Sequence, residues 1–449
     1  MSKNLEASDA EQASKLVRAS AHPARLKAMA MLADGAKEFG DLQDRVGLSK
    51  TALANHLSQM VGMGLVERRG RGSYSLTEDG AQLLEAIGGF YAGSRARVAA
   101  EQKNLASMYS KGREKGIIGV ERLVSNEPVY QCCWLSYTGA ISGALKSIGI
   151  DRDVVDVAGY TGYAFVLNVS KGATCPSGPT CLGYWDDIEK ATEVLGRKVT
   201  SYTETKCFPQ APGPLSAEDQ TRARKLFEVV KKEIDRDMPV VLWGIPIPEY
   251  GIVKGYRGDE YLVSTFRANS GMPDDPVRYD ALVAPGCLQA FMFGSETRGI
   301  DAKADRKAVE RAVEIAGGAR KWAGYEAGPV AYDEWANVLE KGIAGEAAYH
   351  GHSYVTACYH EGRKNAAEFL RRLAMKYSAK PQSKHLANAA KEYGEAAELM
   401  GKLEKCFPFA FDGALPQDKC KKGAALLRAA RPYEEAAISH MRNALGAWK

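Results

Sequence analysis

The chain has 449 residues, of which 26% are charged and 45% hydrophobic, and its formal net charge at pH 7 is +5. This length allows roughly two to four domains with cores of their own, and the composition is ordinary for a globular protein. The net charge is too small to identify nucleic acid as a partner by itself. No apolar run approaches the length of a transmembrane helix, which excludes a membrane-spanning protein, and we expect no membrane partner.

The cysteines and the start of the chain indicate a cellular compartment. Nine cysteines, an odd number, are spread over the chain, and this pattern favours reduced thiols over a disulfide framework. The opening residues, MSKNLEASDAEQ, are polar and acidic, so we expect no signal peptide. These features predict a cytoplasmic protein, and no pattern indicates a cofactor.

Residues 39–76 carry the strongest local pattern in the chain. Leu42 and Val46 lie on one face of a short predicted helix, and Gly47 is placed to end it. Ser49 is a good N-cap for a second helix. The apolar residues of that second helix are predicted to face inward, and they are Leu53, Leu57, Met60 and Val61. Two short strands around Gly70-Arg71-Gly72 then predict a hairpin.

Helix, turn, helix and hairpin is the order of a winged helix-turn-helix. Between Arg45 and Thr77 the chain has five Lys/Arg residues and one acidic residue. Polar and cationic residues near the start of the second helix suit the major groove, and hairpin arginines suit phosphates. The predicted DNA-binding residues are Ser49, Lys50, Thr51, Asn55, His56, Arg68, Arg69, Arg71 and Tyr74. The alternative is that this domain binds protein instead, as some winged helices do.

Four motifs give residues 10–92 a family resemblance. They are His22-Pro23-Ala24-Arg25-Leu26, Leu53-Ala54-Asn55-His56-Leu57, Gly64-Leu65-Val66 and Leu76-Thr77-Glu78-Asp79-Gly80. Together they resemble the ArsR-like winged-helix transcriptional regulators, and the resemblance implies double-stranded DNA as a partner. Metal-sensing members carry a cysteine pair on the helix before the turn. Here residues 38–42 contain no cysteine, so metal sensing by that route is not expected.

A helix after the wing bears on the oligomeric state. Thr77 is placed to cap it, and its apolar residues are Leu83, Leu84, Ile87, Phe90 and Tyr91. In proteins that this region resembles, such a helix commonly packs against its mate, which implies a homodimer. The alternative is that these residues cover the domain's own core.

Residues 93–116 are polar, Ala-rich and helix-prone, and they predict a linker helix.

Residues 117–300 predict an α+β domain. A helix at 137–148 leads to a Gly-punctuated turn at 158–165, which runs into a strand at 165–169. Helices are predicted at 186–195 and 215–235. Four further strands are predicted at 239–243, 250–254, 261–265 and 289–293.

Three motifs of this domain resemble papain-like proteins. Gly139-Ala140, the run Gly159 to Phe165, and Val253-Lys254-Gly255-Tyr256 are similar to bacteriocin-leader peptidases and, more closely, to the N-terminal domain of butirosin biosynthesis protein H. The resemblance implies a nucleophilic cysteine at the start of the first helix and a histidine six residues before the Gly-Tyr pair. Glu249 stands six residues before Gly255, and no histidine lies between His56 and His350.

This departure favours an inactive relative that is retained to sense a small molecule or peptide effector. The alternative is a cysteine-dependent acyltransferase or amidase-like enzyme that uses Glu249, or a histidine from the C-terminal region, as its base. If the domain is an enzyme, the candidate catalytic residues are Cys132, Cys133, Ser136 and Glu249. The candidate effector-pocket residues, which could equally be core, are Trp134, Tyr160, Tyr163, Trp243 and Tyr250.

Two further groups of residues could bind metal, although we expect no metal site. Cys175 and Cys181 flank a Pro/Gly loop and Cys207 follows, so the options are reduced loop thiols, a disulfide or redox switch, or zinc. His350 and His352 lie close to Cys358 and His360, but this spacing is better explained by a polar helix start with incidental histidines.

Residues 301–449 predict a helical domain. Helical periodicity occupies 304–317, 331–341, 353–378, 383–405 and 419–446. The predicted organisation is a winged helix-turn-helix at 1–92, the linker helix at 93–116, a papain-like domain at 117–300 and an all-α region at 301–449. We interpret the chain as a DNA-binding regulator with a C-terminal sensing region. A fused enzyme and a protein-binding scaffold are the other hypotheses.

Overall fold

The computed structural model describes residues 9–70, 72–92, 121–205, 215–267, 272–409 and 415–448. The chain divides into two compact units, Met1–Arg97 and Val98–Lys449, called unit 1 and unit 2 below. The predicted linker helix at 93–116 lies outside the described residues. No helix among the described residues combines the length and the apolarity needed to cross a membrane.

Unit 1 contains five helices and three short strands within its described part. They are α1 (Ala10–Ser20), α2 (Pro23–Leu32), β1 (Lys37–Glu38), α3 (Phe39–Val46), α4 (Lys50–Gly62), β2 (Val66–Arg69), β3 (Ser73–Leu76) and α5 (Glu78–Ala92). The antiparallel strands are ordered β1-β3-β2. The core lies between these elements and includes Ala28, Met29, Leu32, Leu42, Leu53, Leu57 and Met60, all at most 2% exposed.

Local sequence explains where the helices of unit 1 begin and end. Pro23 occupies the first turn of α2, where its missing N–H is not needed. Gly47 ends α3 with φ at 75°, a left-handed conformation that glycine adopts at little cost. The prediction that Val61 faces inward was wrong, because its exposed fraction is 38%. One residue turns a helix by about 100°, which carries Val61 away from the face that Met60 buries.

Unit 2 contains a seven-stranded antiparallel sheet among its described residues. Its strands in chain order are β4 (Glu121–Leu123), β6 (Arg197–Glu204), β7 (Val240–Trp243), β8 (Tyr250–Arg257), β9 (Glu260–Ser264), β10 (Val277–Arg278) and β11 (Leu288–Glu296). The spatial order is β10-β9-β8-β7-β11-β6, and β4 pairs with β8. Separately, β5 (Asn168–Ser170) pairs with β12 (Tyr325–Ala327).

In the part of unit 2 that the structure describes, four helices accompany this sheet. They are α6 (Ser136–Ser147), α7 (Val154–Thr161), α8 (Trp185–Thr192) and α9 (Ala217–Asp235), with short 3₁₀ turns at Tyr163–Phe165 and Glu193–Leu195. The predicted turn at 158–165 was wrong for its first half, because residues 158–161 are helical. Asp153 caps α7 by accepting from the Asp156 N–H, and Gly162 at φ 82° ends the helix. The strand predicted at 165–169 begins only at Asn168.

Helices dominate the C-terminal region, as predicted. They are α10 (Ala302–Ala316), α11 (Val330–Glu340), α12 (Glu346–Lys376), α13 (Gln382–Cys406) and α14 (Cys420–Ala447), with a 3₁₀ turn at Gln417–Lys419. One hydrophobic core joins this region to the sheet, since Phe369 of α12 packs edge-on against Tyr160 of α7 and Phe165. The sheet and the C-terminal helices therefore belong to one compact unit.

Candidate DNA interface and candidate catalytic cluster

The start of α4 presents the polar face that was predicted to enter the major groove. Ser49 accepts a hydrogen bond from the Ala52 N–H at 3.3 Å, so its hydroxyl is engaged as the N-cap. Lys50, Thr51 and Asn55 follow on the exposed side of the helix. The free backbone N–H groups of this helix end and the Lys50 ammonium together form an electropositive end on α4.

His56 is placed differently from the other predicted residues of this helix. Its ring is half-buried and lies 4.3 Å from the His22 ring, centroid to centroid. His22 itself caps α2, since its Nδ1 accepts from the Ala24 N–H at 3.2 Å. Burial, His22 and Arg25 all lower the pKa of His56. His56 therefore packs toward the start of α2, while Asn55 remains on the open face.

The two wing arginines that the structure describes, Arg68 and Arg69, have different hydrogen-bond partners. Arg68 is exposed, and it donates from Nη2 to the Tyr74 hydroxyl at 3.0 Å. Arg69 donates from Nε to Glu67 at 2.8 Å, and Glu67 also accepts from Ser75 at 2.9 Å. Hydrogen bonds from Arg69 and then from Ser75 lower the pKa of Glu67, which therefore offsets the charge of Arg69.

Tyr74 and Arg71 are the other two predicted DNA-binding residues of the wing. Tyr74 is only 5% exposed and belongs to the core of unit 1, so in this structure its hydroxyl orients Arg68. Arg71 lies outside the described residues. The Gly72 carbonyl accepts from the Phe39 N–H at 2.8 Å, which ties the wing to the start of α3.

In unit 2, the structure brings together two of the four candidate catalytic residues. Ser136 is the first residue of α6, and its Oγ accepts from the Tyr250 N–H at 3.1 Å. Glu249 directly precedes Tyr250 at the start of β8, and each of Ser136 and Glu249 is 6% exposed. Burial raises the pKa of Glu249 to about 7, against the opposing effect of hydrogen bonds from Ser136 and Tyr354.

Helix α12 supplies groups to this cluster that the sequence did not predict. Tyr354 donates its hydroxyl hydrogen to Glu249 Oε1. One turn later, Cys358 Sγ lies 3.7 Å from the Trp134 carbonyl oxygen. Glu361 Oε2 accepts from the Trp134 and Leu135 N–H groups at 2.6 and 2.9 Å, and burial raises its pKa to about 7. Cys358 and Glu361 thus hold the loop before α6, and Tyr354 holds Glu249.

Of the two neighbouring cysteines, Cys133 bonds to groups other than Ser136 and Glu249. Cys133 is 2% exposed, its thiol donates to the Leu135 carbonyl at 3.2 Å, and burial raises its pKa well above the usual range. A thiol in such surroundings is a poor nucleophile, because the thiolate is the reactive form. Cys132 is half-buried. The arrangement can therefore support a hydroxyl next to a carboxyl group, but it does not activate Cys133.

The five candidate effector-pocket residues all lie in the core of unit 2. They are at most 8% exposed, and they are Trp134, Tyr160, Tyr163, Trp243 and Tyr250. Three of their hydroxyl groups have internal acceptors: Tyr160 donates to Asp305 at 2.6 Å, Tyr163 to the Pro179 carbonyl at 2.8 Å, and Tyr250 to Gln289 at 2.5 Å. In this structure the five side chains are therefore part of the hydrophobic core, and their role as an effector pocket stays a prediction.

The described candidate metal ligands lie in two places, the loop with Cys175 and Cys181 and helix α12 with His350 and His352. Cys175 and Cys181 are free thiols, and Cys207 lies outside the described residues. His350 and His352 lie inside α12, and the expectation of a polar helix start was wrong because His352 is fully buried. His352 Nδ1 accepts from Trp335 Nε1 at 2.7 Å, and burial lowers its pKa to about 3. Within the described residues, no three His, Cys, Asp or Glu side chains are grouped as metal ligands would be.

Comparison with known proteins bears on unit 1. Residues 22–68 match the family described as bacterial regulatory protein, arsR family. No curated protein matches the chain. The matched segment begins at His22, the cap of α2, and ends at Arg68 in the wing, so it contains the helix-turn-helix described above. The N-terminal part of this chain is therefore an ArsR-type helix-turn-helix domain, which suggests a DNA-binding transcription regulator.

Proposed function

We propose that this protein is a cytoplasmic, dimeric transcriptional regulator that binds an operator through unit 1 and senses an effector through unit 2. In this proposal α4 enters the major groove and the wing contacts the flanking phosphates. Unit 2 binds a small molecule or peptide and shifts the population between DNA-competent and incompetent states. The observation that carries the proposal is the ArsR-type domain with an exposed, cationic start of α4.

The charges of unit 1 support DNA as the partner. Lys50 and Arg68 are both exposed, and neither has an acidic partner among the described residues. Asn55 on the same open face is a residue type that reads adenine through two hydrogen bonds. The proposed roles are therefore base contact for Asn55 and phosphate contact for Lys50 and Arg68.

Exposed apolar residues support a homodimer. Phe90 near the end of α5 is 79% exposed, and Val17 on α1 is 52% exposed. Packing of α5 against its mate in a dimer would cover an exposed aromatic side chain such as Phe90. A two-fold dimer would also present two α4 helices to two half-sites.

The burial of the Ser136–Glu249 cluster argues against catalysis in unit 2. Glu249 is hydrogen-bonded by Tyr354, and the loop before α6 is held by Glu361. We propose that unit 2 is a papain-like domain in which these groups maintain the fold and no longer act on a substrate. Its helical C-terminal region would cover what is the active-site face in enzymes of that fold.

The experiment that tests the regulator is a fluorescence-anisotropy titration of the full chain against DNA from upstream of its own gene, at two salt concentrations. We expect Arg68→Ala to weaken binding about three- to tenfold and to reduce the salt dependence by about one phosphate contact. Asn55→Ala should instead reduce the preference for upstream DNA over unrelated DNA. Arg236→Ala, an exposed cation in unit 2, is the matched control. Salt-independent binding, or equal losses in all three variants, would contradict the proposal.

One observation favours an enzyme as the second candidate. Ser136 lies beside Glu249 at the start of α6, in the positions where the resemblance to papain-like enzymes implies a nucleophile and its base. A serine-directed fluorophosphonate probe would label Ser136 in an active hydrolase, and Ser136→Ala would abolish that labelling. We expect no labelling of the native chain at Ser136, because the side chain is 6% exposed.

A further inference from the structure

Unit 2 contains a polar cavity that is separate from the Ser136–Glu249 cluster. Its volume is about 250 Å³. One wall is a face of α10 that carries Lys307, Arg311 and Glu314, and the opposite wall includes Tyr184, Asp187 and Arg320. Pockets for drug-sized ligands occupy about 300–1,000 Å³, so this cavity suits a smaller molecule.

Arg311 is fixed in this cavity by its own surroundings. Its Nη1 donates to the Tyr160 carbonyl oxygen in the last turn of α7, at 2.7 Å. Gly162 lies against the aliphatic part of the same side chain, where an added Cβ would come within 3.0 Å of Arg311 Cδ. The Arg311 side chain is therefore held by one hydrogen bond at its guanidinium group and by packing of its aliphatic part, which reduces the ordering cost of binding a ligand.

Arg311 has no carboxylate partner in the described part of the chain. The ion pairs at the cavity join Arg320 to Asp187, and Arg306 to the lining residue Glu310. Burial lowers the pKa of Arg311, and the charges of the Asp187, Glu314 and Glu310 carboxylates raise it. A partly buried guanidinium group that is bonded to one carbonyl oxygen retains donors for an anionic group.

The charges that line the cavity define the ligand. Two ion pairs are internal, so Lys307, Arg311 and Glu314 are the lining charges on one face of α10 that have no ion-pair partner among the described residues, at positions i, i+4 and i+7. A carboxylate fits between the two cations, and an ammonium group fits toward Glu314. A phosphate dianion fits less well, because Asp187, Glu310 and Glu314 also line the cavity.

We propose that this cavity binds a free α-amino acid, with Arg311 and Lys307 on its carboxylate and Glu314 on its ammonium group. The proposal rests on the proposed function in one respect only, which is that the bound amino acid is the effector of the regulator. Walls from α10 and from the start of α8 meet around the ligand, so binding would stabilise the contact between these two elements.

The test is isothermal titration calorimetry of the full chain, without DNA, against each of the twenty amino acids. We expect at least one amino acid to bind with a Kd below about 1 mM. Its decarboxylated amine and its deaminated acid should each bind at least about tenfold more weakly, because each leaves one part of the site unpaired. Inorganic phosphate is the probe for a general anion site. Binding by none of the amino acids, or phosphate binding as tight as the best amino acid, would overturn the proposal.

Variants locate the binding and separate it from DNA recognition. Arg311→Gln should weaken the amino acid at least about tenfold, and Lys307→Gln, on an exposed part of α10, should weaken it less. Lys303→Gln removes the same charge one turn outside the cavity and should bind like the native chain. Unchanged binding in both cavity variants would overturn the site.

Anisotropy measurements with upstream DNA, with and without the amino acid, test the effector role. A DNA affinity that the amino acid does not change would overturn that role. Absence of DNA binding would overturn the proposed regulator and would leave the calorimetric result intact.

Discussion

The wing of unit 1 and the helical region of unit 2 use the same residue types in opposite ways. In the wing, Arg69 pairs with Glu67 while their side chains remain 68% and 45% exposed. In unit 2, Arg363 and Glu434 form a bidentate pair in which both side chains are 0% exposed. An exposed pair contributes little to stability and stays available to a partner, whereas a buried pair is committed to the fold.

This contrast shows where each unit can respond to its surroundings. The charges of the wing are accessible to salt and to DNA, so changes there should alter binding and leave folding unaffected. The charges inside unit 2 are shielded from salt, so changes there should appear in stability and in its dependence on pH.

The largest effect is expected for Glu434→Gln. The substitution leaves Arg363 buried without a carboxylate and disturbs the hydrogen bonds that Tyr332 and Tyr393 donate to Glu434. We expect the free energy of unfolding of unit 2 to fall by about 3–5 kcal/mol. Urea unfolding monitored by tryptophan fluorescence measures unit 2 alone, because all six tryptophans lie at position 134 or beyond.

Glu435→Gln is the control for that measurement. Glu435 is the next residue of α14, and it accepts from Arg431 at 2.8 Å with 48% of its side chain exposed. The Glu435→Gln substitution should lower the free energy of unfolding by less than about 1 kcal/mol. Equal losses of unfolding free energy in the two variants would show that burial does not determine how much these ion pairs contribute to stability.

A smaller effect, confined to a pH window, is expected for Glu249→Gln. The pKa of Glu249 is about 7 in the folded chain and ordinarily 4.5, so the folded state holds a proton between these values that the unfolded state has lost. Native stability should therefore fall as pH rises from 4.5 to 7, whereas glutamine contributes no such change. The stability of the variant relative to the native chain should increase by about 1–3 kcal/mol between pH 5 and pH 8.

Urea titrations of both proteins at several pH values measure this difference. Glu398→Gln, at an exposed position of α13, provides the control and should follow the native curve. Parallel curves for Glu249→Gln and the native chain would mean that Glu249 does not hold a proton in the folded state.

The next effect concerns association rather than folding. Phe90→Asp places a charge at a side chain that is 79% exposed, so the thermal stability of unit 1 should change by less than about 0.5 kcal/mol. If α5 packs against its mate, the dimer dissociation constant should rise at least about tenfold. Sedimentation equilibrium measures it, and Gln82→Asp, on the exposed start of the same helix, is the control. A native chain that is monomeric would contradict the proposed dimer.

The smallest effect is expected for Glu67→Gln. The substitution removes the carboxylate that pairs with Arg69 and retains an acceptor for the Ser75 hydroxyl. Affinity for unrelated DNA should increase by about twofold, with a steeper salt dependence, because one more cation becomes available to phosphates. Anisotropy at two salt concentrations detects this change, and weaker DNA binding in the variant would contradict the assigned role of Glu67.

Local signals made the helix-turn-helix predictable. Pro23, Gly47 and Ser49 act through the backbone within a few residues of themselves, so the sequence is sufficient to place α2, α3 and α4. The long C-terminal helices were predicted for a similar reason, since their periodicity extends over many turns. The side chains that surround Ser136 and Glu249 were not predictable in this way. Glu361 reaches the Trp134 N–H across 227 positions, and no local pattern records such a contact.

Two errors have a different cause. The missed strand β6 alternates weakly and carries charged residues, so its pairing with β11 decides its conformation. The expected turn at 158–165 relied on its glycines, but Gly159 lies in helix α7, where an added Cβ would meet the Phe369 ring at 2.1 Å. That glycine permits close packing and does not mark a turn.

Helix α12 gives unit 2 a mechanical property. It has 31 residues, so at about 1.5 Å per residue it is a rod of roughly 45 Å. Its residue Glu361 holds the loop before α6, and two residues later Arg363 is clamped to Glu434 of α14. Rotation of α12 about its axis would therefore break its hydrogen bonds to the loop and to α14 together. A displacement of α12 would act on the loop before α6 and on α14 at the same time.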